Sequence, residues 1–428
     1  MTARPIPLAR TVSLTMAATF AGSGAAALAA LAVAHAAGAA GAGTFAQVRI
    51  IPAAAAAMLG AGITIANPYL VASGRHPARA IVETTLALGL LMGGLAAAGW
   101  VLAADVVRAR LLGALSPGAV ALVGLAIPLH LLRNYLNSIQ QGLLTFRAAN
   151  LVVCTDDLVS LVAILPVVWM PERTEALVVA AALVGPAASV ALALALLARR
   201  GLPPRPRVHA AVAREAFRLG LKGHVGRMAN MLTWRLDVLI LSALASVEVV
   251  GCYAVASKAA ELLRPLSASL SFVLRPVIAG LTPAEARARG VVLYRRTFVL
   301  NLAAVAVLAA TGGPLIRLVF GPEFDAAVPA FQILLVGIAA HGADGVLSGY
   351  NVGIGRPELN TYTALAGLAV TIAGDLALIP PFGLVGAALA SSAAYTAKAV
   401  TFTAIFLVTS KTTLAQLVGV GEYTADAA

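Results

Sequence analysis

The chain has 428 residues, 60% of them hydrophobic and only 11% charged, with a mean hydropathy of +0.92. No single aqueous core hides that much apolar surface, so a soluble domain is excluded and a polytopic, all-α membrane protein is expected. The net charge of +12 would point to nucleic acid in a soluble chain. Here the cations lie in short loops, where they fix topology and meet anionic lipid, so membrane lipids are expected partners and nucleic acid is not.

Met1–Arg10 reads as a cytoplasmic tail. Thr11–Gly38 is apolar and longer than a signal-peptide core, and more spans follow it, so it reads as an uncleaved first helix. Further apolar runs lie at 46–72, 80–104, 114–140, 149–170, 176–198, 217–244, 249–279, 297–318, 326–349, 360–380 and 384–408. With the first they make about twelve transmembrane helices, each near the roughly 20 residues that cross a bilayer. Alternate connections, starting from the N-terminus, carry eighteen Lys and Arg; the opposite ones carry four, Arg108, Arg110, Arg173 and Arg317. That bias places both termini in the cytoplasm of a multi-pass plasma-membrane protein.

The stretch Arg199–Lys222 holds seven of the thirty Lys and Arg against one acid, Glu215, and Pro203, Pro204 and Pro206 forbid a continuous helix through it. The expected organisation is an N-terminal six-helix lobe over 1–198, a basic cytoplasmic linker over 199–216, and a C-terminal six-helix lobe over 217–428. The two flanks echo each other. Gly43-Thr-Phe-Ala matches Gly251-Cys-Tyr-Ala at an offset of 208, and Phe146-Arg147 matches Gly355-Arg356 at 209. Leu165-Pro166 and Ile379-Pro380 follow at 214. An even number of spans per copy gives a parallel internal repeat about an axis along the membrane normal.

Enzyme signatures are missing. There is no G-x-x-x-x-G-K, no H-E-x-x-H and no loop long enough for a catalytic domain, so neither an enzyme nor a cofactor is expected. Asp156-Asp157 lacks the second acidic cluster of a metal–diphosphate site and reads as helix packing. Cys154 and Cys252 lie in apolar runs and read as inert packing residues.

Charges inside spans carry the functional signal, because a Lys or Arg at mid-depth costs on the order of 3 kcal/mol. Arg227, Lys258, Arg264 and Lys398 fall there. His224, Arg227 and Arg235 recur along one face of the seventh span, and Lys258 and Glu261 share a face of the eighth. Ion pairing, of Arg235 with Asp237 or another acid and of Lys258 with Glu261, competes with cavity lining for those bases. Arg227 and Arg264 have no local acid. Arg133, Asn137, Gln140 and Gln141 form a stripe on the fourth span that suits interhelical hydrogen bonds or snorkelling, and Arg49 sits where snorkelling is cheap.

Four stretches carry a family likeness: WRLDVLILSALASVEVVGCYAVASKAAELL from Trp234, LIRLVFGPEFDAAVPAFQILLVG from Leu315, GYNVGIGRPELNTY from Gly349 and LIPPFGLVGAALASSAAY from Leu378. They resemble the polysaccharide-exporter, O-antigen-type flippase branch of the multidrug/oligosaccharidyl-lipid/polysaccharide (MOP) superfamily. The resemblance implies a two-lobed, V-shaped transporter that flips a lipid-linked anionic saccharide to the outer leaflet by alternating access. Glycan-synthesis proteins would be further partners. The family's cationic cavity is loosely matched by Arg227, Arg235, Lys258 and Arg264, and Lys398, another base inside a span, joins them as an expected substrate-binding residue. Asp237, Glu261, Asp344 and Asp375 are the acids a coupling ion could use, with a structural role the leading reading for each. Two rivals are a cation-coupled multidrug exporter of the same superfamily, which would want acids in its cavity, and a major-facilitator transporter. The latter usually carries an Asp in the turn after span two, where this chain has SGRHPARA.

Overall fold

Glycine and proline break the apolar chain into helices, and at two positions inside long helical runs a glycine lets it double back. The computed structural model describes residues 8–171, 174–263, 278 and 281–418. Among them every regular element is helical: α1 (Leu8–Leu59), α2 (Ile63–Ser73), α3 (Ala78–Leu102), α4 (Ala104–Leu111), α5 (Pro117–Gly124), α6 (Ala126–Gly142), α7 (Phe146–Val168) and α8 (Glu175–Ala198). There follow α9 (Ala210–Thr233), α10 (Leu236–Leu244), α11 (Val247–Ala260), α12 (Pro283–Phe320), α13 (Ala327–His341), α14 (Asp344–Gly353), α15 (Glu358–Ser410) and α16 (Leu414–Val418).

Two of these are hairpins. At Gly38 (φ 64°, ψ −165°) and Gly383 (φ 52°, ψ −125°) the backbone takes conformations closed to residues with a Cβ, and the chain reverses. In α1, Gly22 and Arg49 accordingly both lie against Asp157. In α15, a Cβ on Gly374 would lie 2.9 Å from the Ala390 Cβ. Among the described residues eight segments are long and apolar enough to cross a membrane. Two of them, Phe20–Leu59 and Glu358–Ser410, contain these reversals and supply two passes each. The pair α9–α10 lies where the seventh pass is expected and α11 where the eighth begins; most of the rest of that expected run, to 279, lies outside the described residues.

The chain forms two units: Met1–Met231 with Ser242–Gly251, and Leu232–Leu241 with Cys252–Ala428. In the first, Val82 and Leu86 of α3, Leu132, Leu136 and Ile139 of α6, Val152 of α7 and Val190 and Leu197 of α8 form a buried core. Glycines permit its closest crossings. A Cβ on Gly43 would sit on the Val247 carbonyl oxygen and one on Gly251 on that of Ala39, so the two glycines aligned by the repeat meet. A Cβ on Gly62 would strike the Gly220 carbonyl in the same way.

The proline-rich connector is non-helical through 202–209, and it is fastened to the first unit. The Arg207 N–H donates to the Glu83 carbonyl at 3.3 Å, and the His209 N–H to Thr84 Oγ1 at 3.1 Å. His209 Nε2 lies 2.8 Å from Glu83, and His76 Nε2 2.7 Å from Glu215. Beneath them Val212 and Ala216 pack on Ala66, Leu70 and Ile81. The hydrogen bond from His76, helped by the charges of Arg75 and Arg218, holds the Glu215 carboxyl below its ordinary range.

In the second unit Val291, Val346, Leu347, Tyr350, Phe402, Phe406 and Leu417 make the core. A capping box of Thr282 and Glu285 starts α12, and Arg295 of that helix donates to the Gln416 and Leu417 carbonyls at the end of α16.

Candidate functional site

In the first unit the tandem Asp156-Asp157 on α7 faces two neighbours, because successive residues on a helix point about 100° apart. Asp156 pairs with Arg133 of α6, and Asp157 with Arg49 of α1, Nη2 to Oδ1 at 2.8 Å. The expected snorkelling of Arg49 is therefore corrected, since it ends in an ion pair across the unit, while Arg133 makes an interhelical hydrogen bond, the first of the two alternatives expected for it. Arg133 also donates to Asn134 Oδ1 at 3.2 Å. Among the described residues no group of three or more His, Cys, Asp or Glu is disposed to hold a metal ion.

A second arrangement lies where α1 gives way to α2. Ala61 and Gly62 adopt left-handed conformations there (φ 44° and 71°), which ends α1 and leaves its last carbonyls outside the helical ladder. Two side chains take them up: the Tyr135 hydroxyl donates to the Gly60 carbonyl at 2.9 Å, and His224 Nε2 to that of Met58 at 3.0 Å. Beside this break is a small, partly open cleft with room for about one water, lined by Thr64, Asn134, Tyr135, His224 and Arg227 among others. Among the described residues no carboxylate pairs with Arg227, and His224 Nδ1 is buried without a partner.

In the second unit Arg235 grips Glu261 through both guanidinium nitrogens, at 3.0 and 3.4 Å, and Lys258 reaches the same carboxylate at 3.4 Å. Asp237 accepts from Tyr253 Oη, from Ser391 Oγ at 2.9 Å and from the Val238 N–H at 2.7 Å. Asp375, with no exposed surface, has no hydrogen-bond partner on either oxygen among the described residues, and it lies close enough to Asp237 for their charges to interact. Lys398 is 3% exposed, its alkyl chain against Gly367 and its Nζ 5.5 Å from the Trp234 ring centroid. Trp234 is flanked by Tyr395 and His341, and His341 bonds Asp344 at 2.5 Å.

Of the residues singled out by sequence, the structure thus groups Arg235, Lys258 and Glu261, and separately Asp237 with Asp375. Lys398 is enclosed in its own unit, Arg227 stands at the cleft, and Arg264 lies outside the described residues. Sequence reading did not find the bond from His224 to Met58, or Asn134 and Tyr135. The available signal for these was the spacing of His224 and Arg227 together with the Gly60–Gly62 interruption.

Known proteins place these features in a family. The family model described as "Polysaccharide biosynthesis protein" matches residues 43–329. An uncharacterized membrane protein of Methanocaldococcus jannaschii, MJ1068, is 28% identical over 191 residues, 42% of this chain and 37% of its own length. The inward-facing structure of a multidrug resistance MATE transporter of the MOP superfamily superposes with a TM-score of 0.72 at 14% identity, over 91% of this chain and 94% of its own. A MOP superfamily transporter from Pyrococcus furiosus, described as having a binding pocket of reverse polarity, gives 0.61 at 13% identity over 96% of each chain. The major-facilitator alternative falls with that fold. The chain belongs to the polysaccharide biosynthesis protein family, and it is a membrane protein with the fold of the MOP superfamily transporters.

Proposed function

We propose that the protein is a plasma-membrane transporter, with both termini cytoplasmic, that moves a diphosphate-linked saccharide lipid from the cytoplasmic to the outer leaflet by alternating access. The observation that carries this reading is Arg227, an exposed cation on α9, in the stretch expected to form the seventh pass, with no carboxylate partner among the described residues. Such a charge calls for water or an anionic ligand, and a guanidinium suits phosphate oxygens through its two-pronged donor geometry. Membership of a polysaccharide biosynthesis family supports the saccharide part.

The remaining bases take graded parts. Lys258 is half-exposed and shares Glu261 with Arg235, so an anionic cargo exchanges with that carboxylate. Lys398, buried over the Trp234 ring, contributes positive potential rather than contact, and Arg264 completes the set. Asp237 and Asp375 suit a proton or small cation that couples to transport, with Glu261 as a third carboxylate.

The second reading, a cation-coupled multidrug exporter, draws on those same two aspartates. Both are almost wholly enclosed, which suits a small ion and not a drug. Depleting the protein tests the two: lipid-linked saccharide should accumulate on the cytoplasmic leaflet and surface polysaccharide should fall, with sensitivity to cationic dyes unchanged. Dye hypersensitivity with normal surface glycan rejects the proposal in favour of the drug pump.

A further inference from the structure

We propose that one row of α6, made of Asn134, Asn137 and Gln141, reads the saccharide of the cargo by hydrogen-bonding its hydroxyls. The three residues recur at intervals of three and four, so they share one helical face over about 10 Å of rise. Other faces of α6 pack on α1, α2, α3, α7 and α8 of its own unit. Along the row the cover thins toward the expected cytoplasmic end of the helix. His130, one turn before it, is 9% exposed, Asn134 and Asn137 are partly exposed, and Gln141 is exposed. The row begins beside Arg227, with which Asn134 lines the small cleft at the α1–α2 break.

The amides of this row are uncommitted, unlike others inside the passes. Asn67 donates to Ser138 Oγ at 2.9 Å, Asn301 to the Ile338 carbonyl at 3.1 Å and Gln332 to the Ala309 carbonyl at 2.8 Å, and each bond ties one helix to another. Asn137 Oδ1, by contrast, is enclosed with no donor among the described residues, and the Gln141 side chain makes no hydrogen bond among them. Asn134 accepts from Arg133 at 3.2 Å, which leaves its amide N–H group to donate. An unpaired amide inside a membrane pass costs stability, so the row calls for a ligand that completes it. Its chemistry selects the class. The row carries no formal charge, which favours neither a phosphate nor a cationic drug. Each amide offers donors and an acceptor, and a sugar hydroxyl both donates and accepts, so adjacent hydroxyls suit the two ends of one amide. A site that bonds a hydroxyl rejects an analogue lacking it far more strongly than an apolar pocket rejects a missing methylene, so these residues set which head group is accepted.

The role of the row rests on the proposed saccharide lipid, and its test is kept apart from transport. Farnesyl diphosphate carrying a glucose, and farnesyl diphosphate itself, are titrated calorimetrically into the purified full-length protein in neutral detergent. The wild type should bind the glucose-bearing probe about tenfold more tightly than the bare one. Asn137→Leu should remove most of that preference and Gln141→Leu part of it, with affinity for the bare probe changed by no more than about twofold. Asn137→Gln, which keeps the amide, should retain part of the preference. Since no protein partner is lost, the melting temperature of the Leu variants should hold or rise; a fall in step with the lost preference marks a structural amide and overturns the role. Equal binding of the two probes by the wild type, a preference that neither Leu variant alters, or no binding of either probe overturns it as well. Discrimination in detergent by a protein that transfers no saccharide lipid in proteoliposomes would sink the transport reading and spare the row.

Discussion

In the first unit two arginines each take an aspartate of their own, Arg49 with Asp157 and Arg133 with Asp156, whereas in the second one glutamate, Glu261, serves both Arg235 and Lys258. Among the described residues Arg227, at the first unit's cleft, has no carboxylate partner, and the second unit holds two enclosed acids, Asp237 and Asp375. One-to-one pairs between helices act as fixed crosslinks, since neither partner can leave without stranding a buried charge. A shared carboxylate can release one partner to a competing anion and keep the other. The contrast separates charges that hold helices together from charges left available to a ligand.

Breaking a crosslink should have the largest effect. Asp156→Ala strands Arg133 and should destabilise the protein by about 3–5 kcal/mol, read as a lower melting temperature in detergent. Glu261→Gln should cost less, about 1–3 kcal/mol, because the amide keeps the side chain's volume and one acceptor oxygen for Arg235, and Lys258 is 52% exposed, so water can compensate it. Transport should be impaired in both, but only the Asp156 variant should lose folded protein in step. Equal destabilisation would erase the distinction between crosslink and shared carboxylate. Arg227→Ala should change stability by less than about 0.5 kcal/mol, since no protein acid loses its partner.

The passes were legible because bilayer thickness fixes their length and hydropathy marks them, and the hairpin at Gly38 falls where the first apolar run was taken to end. The partners of Arg49 and Arg133 were not legible. Both lie far from their acids in sequence, Arg49 by 108 residues and Arg133 by 23, and local spacing says nothing about which helices adjoin. The adjacency of Asp156 and Asp157 was a usable sign, because a tandem on one helix must face two neighbours. Glu261 was legible as the partner of Lys258 three residues away, but not as that of Arg235, which needs the chain to fold back after α10. The connector read as a free basic linker from its prolines and arginines. Its attachment through His76 and His209 depends on a turn more than a hundred residues upstream.

That attachment gives the smallest expected effect. The Glu215 carboxyl is held below its ordinary range, so its contribution is present at neutral pH and is lost as pH falls below about 4.5 and through its folded value. Hydrogen exchange at the start of α9 should quicken over that window, and Glu215→Gln should remove the dependence. An unchanged pH response in the variant would assign the loosening to other carboxylates.

The central claim is that an uncompensated arginine in the first unit receives an anionic cargo. The most direct measurement is the transfer of a diphosphate-linked saccharide lipid between leaflets of proteoliposomes holding the wild type or Arg227→Gln. Transfer by the wild type that drops at least tenfold in the variant, with its melting temperature unchanged, is the predicted result. Equal transfer by both proteins would contradict the claim.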